Sequence, residues 1–248
     1  MFSVIIPSLN EEKYLGRLLD SIQQQHLKPA EIIIADAHSK DRTREIARKY
    51  GCKIVDGGHI SVGRNNGARA STQDILVFLD ADTHLRSPAF FNKMIGTFIA
   101  KNADVGSCYA TNIREESYFP NTTNIAFNAT KQLNRVTAKT MKNVIGESGA
   151  CVICKKALFQ KIHGFEEKLK MMEDTEFFQK AVKAGGKYVV IPVFIGISNR
   201  RFSKRSLSSS LKISGLILIL SAGMLIGIKG LSKIRKKYED EKGPLGGN

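Results

Sequence analysis

An α/β fold built on a mostly parallel sheet flanked by helices is what the first two hundred residues predict. Three observations carry this. Short apolar runs recur between polar turns, helically spaced segments separate them, and each of three early runs is followed by acids and small polar residues. Strand and helix in alternation read as βαβ units, since parallel strands need a crossover and the crossover is usually a helix. In open sheets of this kind the ligand sits beyond the carboxyl ends of the strands, so each strand is read together with the residues just after it.

Taken in order, the runs at residues 4–6, 32–35, 54–55, 75–79, 151–153 and 189–191 read as buried strands. Helices are expected where Tyr14, Leu15, Leu18, Leu19 and Ile22 share a face, over 42–50, and over 88–100. Residues 107–144 are polar and rich in Asn and Thr, with a weak helical pattern over about 121–141. After the first strand comes Pro7-Ser8-Leu9-Asn10-Glu11-Glu12, after the second Asp36-Ala37-His38-Ser39-Lys40-Asp41, and after the fourth Asp80-Ala81-Asp82. Three units thus deliver acids to one edge.

A chain of 248 residues suits one such domain and a tail, and 42% hydrophobic with 25% charged residues excludes a wholly disordered or collagenous chain. The net charge of +15 is unevenly placed. Residues 199–248 carry eleven Lys or Arg against three acids, which is +8 of the total. That concentration points to a membrane surface or a phosphate-rich ligand. No Walker-type glycine loop, RNA-binding aromatic motif or recognition-helix pattern is found, so nucleic acid is not an expected partner.

Residues 213–228 form a charge-free run of sixteen between Lys212 and Lys229. A spanning helix needs roughly 20 apolar residues, and lysines that reach toward the headgroups extend the usable stretch to 211–231. A membrane helix is expected, with an interfacial or buried helix as the alternative. The four cysteines make no disulfide framework, and Cys151-x-x-Cys154 lacks the second pair a zinc site needs, so buried free thiols are expected. Met1 leads directly into an apolar strand, without a basic leader or cleavage site, so the folded domain is expected in a reducing cytosol.

The strand that ends in Asp80 and Asp82 offers oxygen ligands of the kind hard divalent cations take, though the same two acids also suit a turn or a helix cap. Its neighbours narrow the choice. Ser3-Val4-Ile5-Ile6-Pro7-Ser8-Leu9-Asn10-Glu11-Glu12, then Glu31-Ile32-Ile33-Ile34-Ala35-Asp36-Ala37-His38-Ser39-Lys40-Asp41-Arg42-Thr43, then Gly63-Arg64-Asn65-Asn66-Gly67-Ala68, and then the aspartate pair, in that order, resemble the family 2 glycosyltransferases of the GT-A fold.

This resemblance covers most of residues 3–202 and implies a Rossmann-like, nucleotide-sugar-binding domain over 1–205. Residues 206–232 would follow as a membrane-associated helix and 233–248 as a basic tail. It implies that Asp36 bonds the nucleotide base, that Pro7, Asn10 and Glu11 wrap the nucleoside, and that Arg64 lies beside the nucleotide. Asp82 would hold the metal, Mg²⁺ or Mn²⁺, and Asp80 the ribose or the metal's waters. The polar segment 107–144 would cover the site opposite the nucleotide. Gly146-Glu147-Ser148-Gly149-Ala150-Cys151 matches an acceptor-side loop.

Glu173-Asp174 matches an acid pair at a helix start, with Asp174 as the base that takes the acceptor's proton and Glu173 orienting a neighbour or the acceptor. Negative charge at a helix N-terminus is the plainer alternative for both. Arg200 and Arg201 suit a diphosphate or phosphorylated acceptor, and equally anionic lipid. The loop Ala37-His38-Ser39 departs from the family's usual acid or glycine followed by Gly-Ser, which leaves the nucleotide open; His38 reads as a solvent-facing turn residue.

The implied activity is inverting transfer from a nucleotide diphosphate sugar to a saccharide or lipid-linked acceptor, at the cytoplasmic side of a membrane. A polyprenyl-phosphate acceptor is the alternative within the enzyme class. Outside it stands a membrane-surface nucleotide-sugar-binding protein without chemistry.

Overall fold

The computed structural model describes residues 1–113, 122–140, 142–144, 149–169 and 172–198. Eight strands and seven helices follow in the order β1 (Ser3–Ser8), α1 (Leu15–Gln23), β2 (Glu31–Asp36), α2 (Thr43–Lys49), β3 (Lys53–Asp56), α3 (Ile60–Ala70), β4 (Ile75–Leu79), β5 (Thr83–Leu85), α4 (Phe90–Ala100), β6 (Val105–Asn112), α5 (Thr122–Thr140), β7 (Cys151–Lys155), α6 (Lys156–Lys161), α7 (Glu173–Lys183) and β8 (Tyr188–Ile197) among these residues. One mixed sheet runs β3-β2-β1-β4-β7-β6-β8-β5. The block β3-β2-β1-β4 is parallel, β7 is antiparallel to both β4 and β6, β8 is parallel to β6, and β5 closes the edge antiparallel to β8. The expected α/β architecture and its mostly parallel, mixed sheet are therefore present.

Both faces are covered, which is why β1 and β4 read as unbroken apolar runs. On one face, Leu15, Leu18, Leu19 and Ile22 of α1 meet Phe90, Phe91, Met94 and Phe98 of α4 over Phe2, Val4 and Val77. The other face is aromatic. Phe165 stacks on Phe177 at 4.2 Å and meets Phe78 of β4 edge-on at 5.3 Å.

Helix α3 was not foreseen, because it buries Ser61, Gly63, Arg64, Asn65 and Gly67 instead of an apolar stripe. Its two glycines, one helical turn apart, let it lie close on the sheet. A Cβ on Gly63 would sit 3.2 Å from Pro7 Cβ and 3.5 Å from Ala35 Cβ, and one on Gly67 would overlap Ile5 Cγ2. Gly67→Ala is accordingly expected to lower stability by about 1–3 kcal/mol through overpacking, read as a lower urea midpoint with unchanged denaturant slope.

Two strands also escaped the sequence reading. β5 has only three residues, and β6 carries Gly106, Ser107, Thr111 and Asn112 in place of an apolar run. Helix α5 matches the weak pattern expected over 121–141, and it lies on β6 and β8. The C-terminal apolar stretch, the basic tail, Arg200 and Arg201 lie outside the described residues. Among the described residues, no helix is long and apolar enough to cross a membrane.

Candidate active site

The carboxyl ends of β1, β2 and β4 and the start of β7 share one edge, because β1 is bonded to β2 and β4 and Leu79 faces Cys151 across the β4–β7 ladder. The loops after β1 and β2 are tied to each other there. The Asn10 amide donates to Ser39 Oγ at 2.9 Å and the Lys40 amide donates back to Asn10 Oδ1 at 2.9 Å. The Glu11 amide donates to Thr43 Oγ1 at 2.7 Å, and the Glu12 amide to Asp41 Oδ2 at 3.1 Å. Asn10 and His38 take positive φ of 54° and 59° in these turns, and His38 faces solvent as expected. Burial would raise the Asp41 carboxyl, but bonds from the Thr43 hydroxyl and amide and the Glu12 amide outweigh it and hold the group below its ordinary range.

Asp36 ends β2 with its side chain buried. Its Oδ2 accepts the Ser39 amide at 3.0 Å and lies 3.7 Å from Arg44 Nε, while Ser8 Oγ donates to Oδ1 at 3.4 Å. Gly57, which the sequence reading passed over, lies flat against this point. Its amide donates to the Asp36 carbonyl at 2.8 Å, and a Cβ there would come within 2.6 Å of the Ala35 carbonyl oxygen and the Ala37 amide. Gly57→Ala is expected to push the Asp36 loop outward and lessen the thermal stabilisation given by nucleoside diphosphates, measured at saturating ligand.

A second cluster forms beneath the end of β4. Arg64 of α3, 1% exposed, donates from Nη2 to Asp80 Oδ1 at 2.9 Å and to the Gly149 carbonyl at 3.2 Å, and from Nη1 to Glu173 Oε1 at 3.1 Å. Its guanidinium also lies 5.0 Å from the Phe165 ring centroid. Arg64 is thus an interior hub whose charge is met by the carboxylates of Asp80 and Glu173. Burial alone would lower its pKa, but Asp80, Glu173 and Asp174 outweigh burial and raise it.

Gly149 belongs to this hub by close approach, since a Cβ there would lie 2.5 Å from Arg64 Nη2. Asn65 supports it from behind. Its side chain exchanges two bonds of 2.9 Å with the Phe165 backbone, pinning the Gly164 turn at φ 65° so that Phe165 lies under Arg64.

Asp174 starts α7 beside Glu173. Its Oδ2 accepts the Gly149 amide at 2.5 Å and its Oδ1 the Thr175 amide at 2.7 Å. Part of the residue remains exposed, while its carboxyl is enclosed. Burial and, after it, the neighbouring Glu173 charge push the carboxyl up to about 7, against the pull of Arg64 and the two amides. The reason is a charge imbalance: one guanidinium faces three carboxylates in a low dielectric. Asp174 is the one of the three with no direct bond to Arg64 among the bonds above.

Asp80 and Asp82 flank a tight turn in which the Thr83 amide and hydroxyl both donate to the Asp80 carbonyl, at 3.1 and 2.7 Å. Asp82 is buried, and its carbonyl accepts the Ser198 amide at 3.1 Å, which draws the end of β8 to the same edge. Pro7 is half-buried under Gly63. The structure therefore gathers Arg64, Asp80, Glu173 and Asp174 into one network, sets Asn10, Glu11 and Asp36 in the linked loops beside it, and leaves Asp82 at the turn between.

Among the described residues, no group of three or more His, Cys, Asp or Glu side chains is arranged as a self-contained metal site. Cys151 and Cys154 are buried free thiols, as expected, and burial raises both well above the ordinary thiol range.

Comparison with known proteins bears on the fold and the family. A 4,4'-diaponeurosporenoate glycosyltransferase of Staphylococcus haemolyticus is 39% identical over 105 residues, which cover 39% of this chain and 28% of the relative. The chain thus matches little more than a quarter of that relative's length. Staphylococcus aureus TarS 1-349 in complex with UDP-GlcNAc shares the fold with a TM-score of 0.63 at 20% identity, over 87% of this chain and 66% of that one. A mannosyltransferase from Pyrobaculum calidifontis, in complex with GDP-Man and Mn²⁺, gives a TM-score of 0.63 at 18% identity over 89% and 62%. The family model described as glycosyl transferase family 2 matches residues 3–163, and the chain belongs to that family.

Proposed function

We propose that this chain moves a sugar from a nucleotide diphosphate sugar to an acceptor hydroxyl in one displacement that inverts the anomeric carbon. The observation that carries the reading is the Arg64–Asp80–Glu173–Asp174 network, which holds a carboxyl that titrates near neutral pH at the edge where ligands gather. As the acceptor oxygen bonds to the anomeric carbon, its proton passes to Asp174, and the bond to the diphosphate breaks with the electron pair leaving on phosphate oxygen. A pKa near the working pH suits a base of this kind. Arg64 serves by fixing Asp80 and Glu173, and Asp36 with Asn10 and Glu11 shapes the nucleoside end.

Asp82 and Asp80 have the oxygen donors a divalent cation takes. Mg²⁺ in particular is usually held by one or two carboxylates together with substrate phosphates, so this pair of acids fits such a shared site. When bound, Mg²⁺ or Mn²⁺ supplies positive charge against the diphosphate. The Mn²⁺ in the mannosyltransferase complex supports this choice. In a titration of UDP- and GDP-sugars with and without Mn²⁺, the folded protein should gain thermal stability with its own donor, and Asp82→Ala should lose the metal-dependent part. If no nucleotide sugar shifts the midpoint in either state, the proposed activity fails.

The relative named for 4,4'-diaponeurosporenoate and the cationic residues 199–248 support a lipid acceptor held at a membrane. In that reading residues 1–205 are the catalytic domain on the cytoplasmic side, 206–232 associate with the membrane and 233–248 form a basic tail. Arg200 and Arg201 then meet phosphate or lipid. An acceptor that is already anionic, such as a polyprenyl phosphate, needs no base, so turnover on it would survive Asp174→Asn. Donor binding without transfer or hydrolysis would mark a binding protein instead.

A further inference from the structure

Over residues 128–140, helix α5 buries polar side chains and leaves apolar ones exposed. Its buried side carries Thr130, Lys131, Asn134 and Thr137, with Lys131 Nζ donating to Ser107 Oγ of β6 at 3.2 Å. Its outward side carries Leu133 and Val136, 50% and 58% exposed, beside the exposed Arg135 and Lys139. A helix that merely covers a soluble domain has the opposite polarity.

The outward stripe continues onto the sheet. Gln132, one helical turn from Val136, donates to the Tyr109 hydroxyl at 2.6 Å, and Tyr109 of β6 stacks on Phe194 of β8 at 5.4 Å. Phe194 is 55% exposed and borders a cavity of about 170 Å³ with Arg86, Lys93 and Pro192. That volume is small beside the roughly 300–1,000 Å³ of a small-molecule site. The feature is therefore part of a surface that joins aromatic and aliphatic side chains to four exposed cations.

Charge selects the partner. Helices α4 and α5 and strands β6 and β8 contain no Asp or Glu at all. A face of Leu, Val and Phe ringed by Lys and Arg, with no acid in its described helices and strands, matches the interfacial zone of an anionic bilayer, where apolar side chains enter the acyl boundary and cations meet headgroup phosphates. A second copy of the chain would present the same cations and be repelled.

We propose that the α5–β6–β8 face, extended to Arg86 and Lys93, lies on an anionic lipid surface, so that the folded domain binds the membrane through its own side chains as well as through whatever residues 199–248 contribute. The Asp80–Asp82 turn is close to this face, since β5 directly follows it and pairs with β8. A lipid acceptor would then reach the site from the bilayer without leaving it.

The chain contains no tryptophan, so single reporters can be placed in the full-length protein. Val136→Trp and Phe194→Trp sit on the face, and Lys49→Trp, exposed on α2 beside the β3 end of the sheet, serves as control. Each is mixed with phosphatidylcholine vesicles with or without phosphatidylglycerol and with brominated lipid as quencher. The expected result is emission that shifts to the blue and is quenched for the two face reporters only when phosphatidylglycerol is present, with the control on α2 unchanged. Arg135→Gln and Lys139→Gln should each weaken partitioning roughly fivefold. Leu133→Ser with Val136→Ser should weaken it further, with donor hydrolysis in solution unaltered. Vesicle binding that leaves both face reporters unquenched would assign the attachment to residues 199–248 and overturn the proposal. So would a blue shift that follows protein concentration without lipid, which marks self-association, or an absence of binding to either vesicle.

Discussion

Asp174→Asn is expected to lower kcat on a hydroxyl acceptor by about 10²–10⁴, the usual contribution of a positioned base, with donor affinity little changed. The fold should survive, because the amide keeps the shape of the carboxylate and one of its oxygens. The native enzyme should show a kcat that rises with pH through an apparent pKa near 7 and then levels, since only the deprotonated form of Asp174 accepts a proton. The variant should lose that limb. Stability reports the same group independently. The folded carboxyl titrates near 7 against an ordinary value of 3.8, so between those values the folded chain holds more protons than the unfolded one. This group's contribution to stability therefore falls as pH rises through that window. The stability difference between Asp174→Asn and native protein should move in the variant's favour from pH 5 to pH 8, as read by urea midpoints. An unchanged difference together with a native pH–rate limb in the variant would remove Asp174 from the role of base.

Arg64→Met should cost more in stability than any other single substitution considered above, about 3–5 kcal/mol, because it strands buried carboxylates that lose their counter-charge. Arg64 meets Asp80 and Glu173 through separate nitrogens of one planar group. Lysine, with a single ammonium, cannot reproduce that fork, so Arg64→Lys should recover only part of the loss. Adding Glu173→Gln to Arg64→Met should restore stability in part, by removing one stranded charge. A fully additive double variant would show that the two groups are not coupled. Arg64 also holds the Asp174 carboxyl down, so its removal should move the pH–rate limb above 7 in whatever activity survives.

The parts of the site that were legible in the sequence are those in which local chemistry announces itself. Asp36 and the Asp80-Ala81-Asp82 turn follow apolar strands directly, and that placement holds in the structure. Asp174 at the start of α7 was legible for the same reason. Helix α3 was not, because its inner face is made of glycines and an arginine. Apolar periodicity finds helices that are held by hydrophobic burial. It is silent about one held by close backbone approach at Gly63 and Gly67 and by an internal ion network. Strand β6 was hidden in the same way, since part of what it buries is the polar inner side of α5.

By itself, then, the order of residues determined the alternation of strands and helices, the edge at which acids collect and the membership of the family, because each of these is written in neighbours along the chain. What only the tertiary structure decided is which charges meet. Arg64 and Glu173 are 109 positions apart, yet they share one bond in the interior. Whether a guanidinium faces phosphate or carboxylate, and whether a carboxyl titrates near 4 or near 7, depends on burial and on distances between remote segments. Electrostatic energy follows spatial separation and local dielectric, and neither is a property of sequence position.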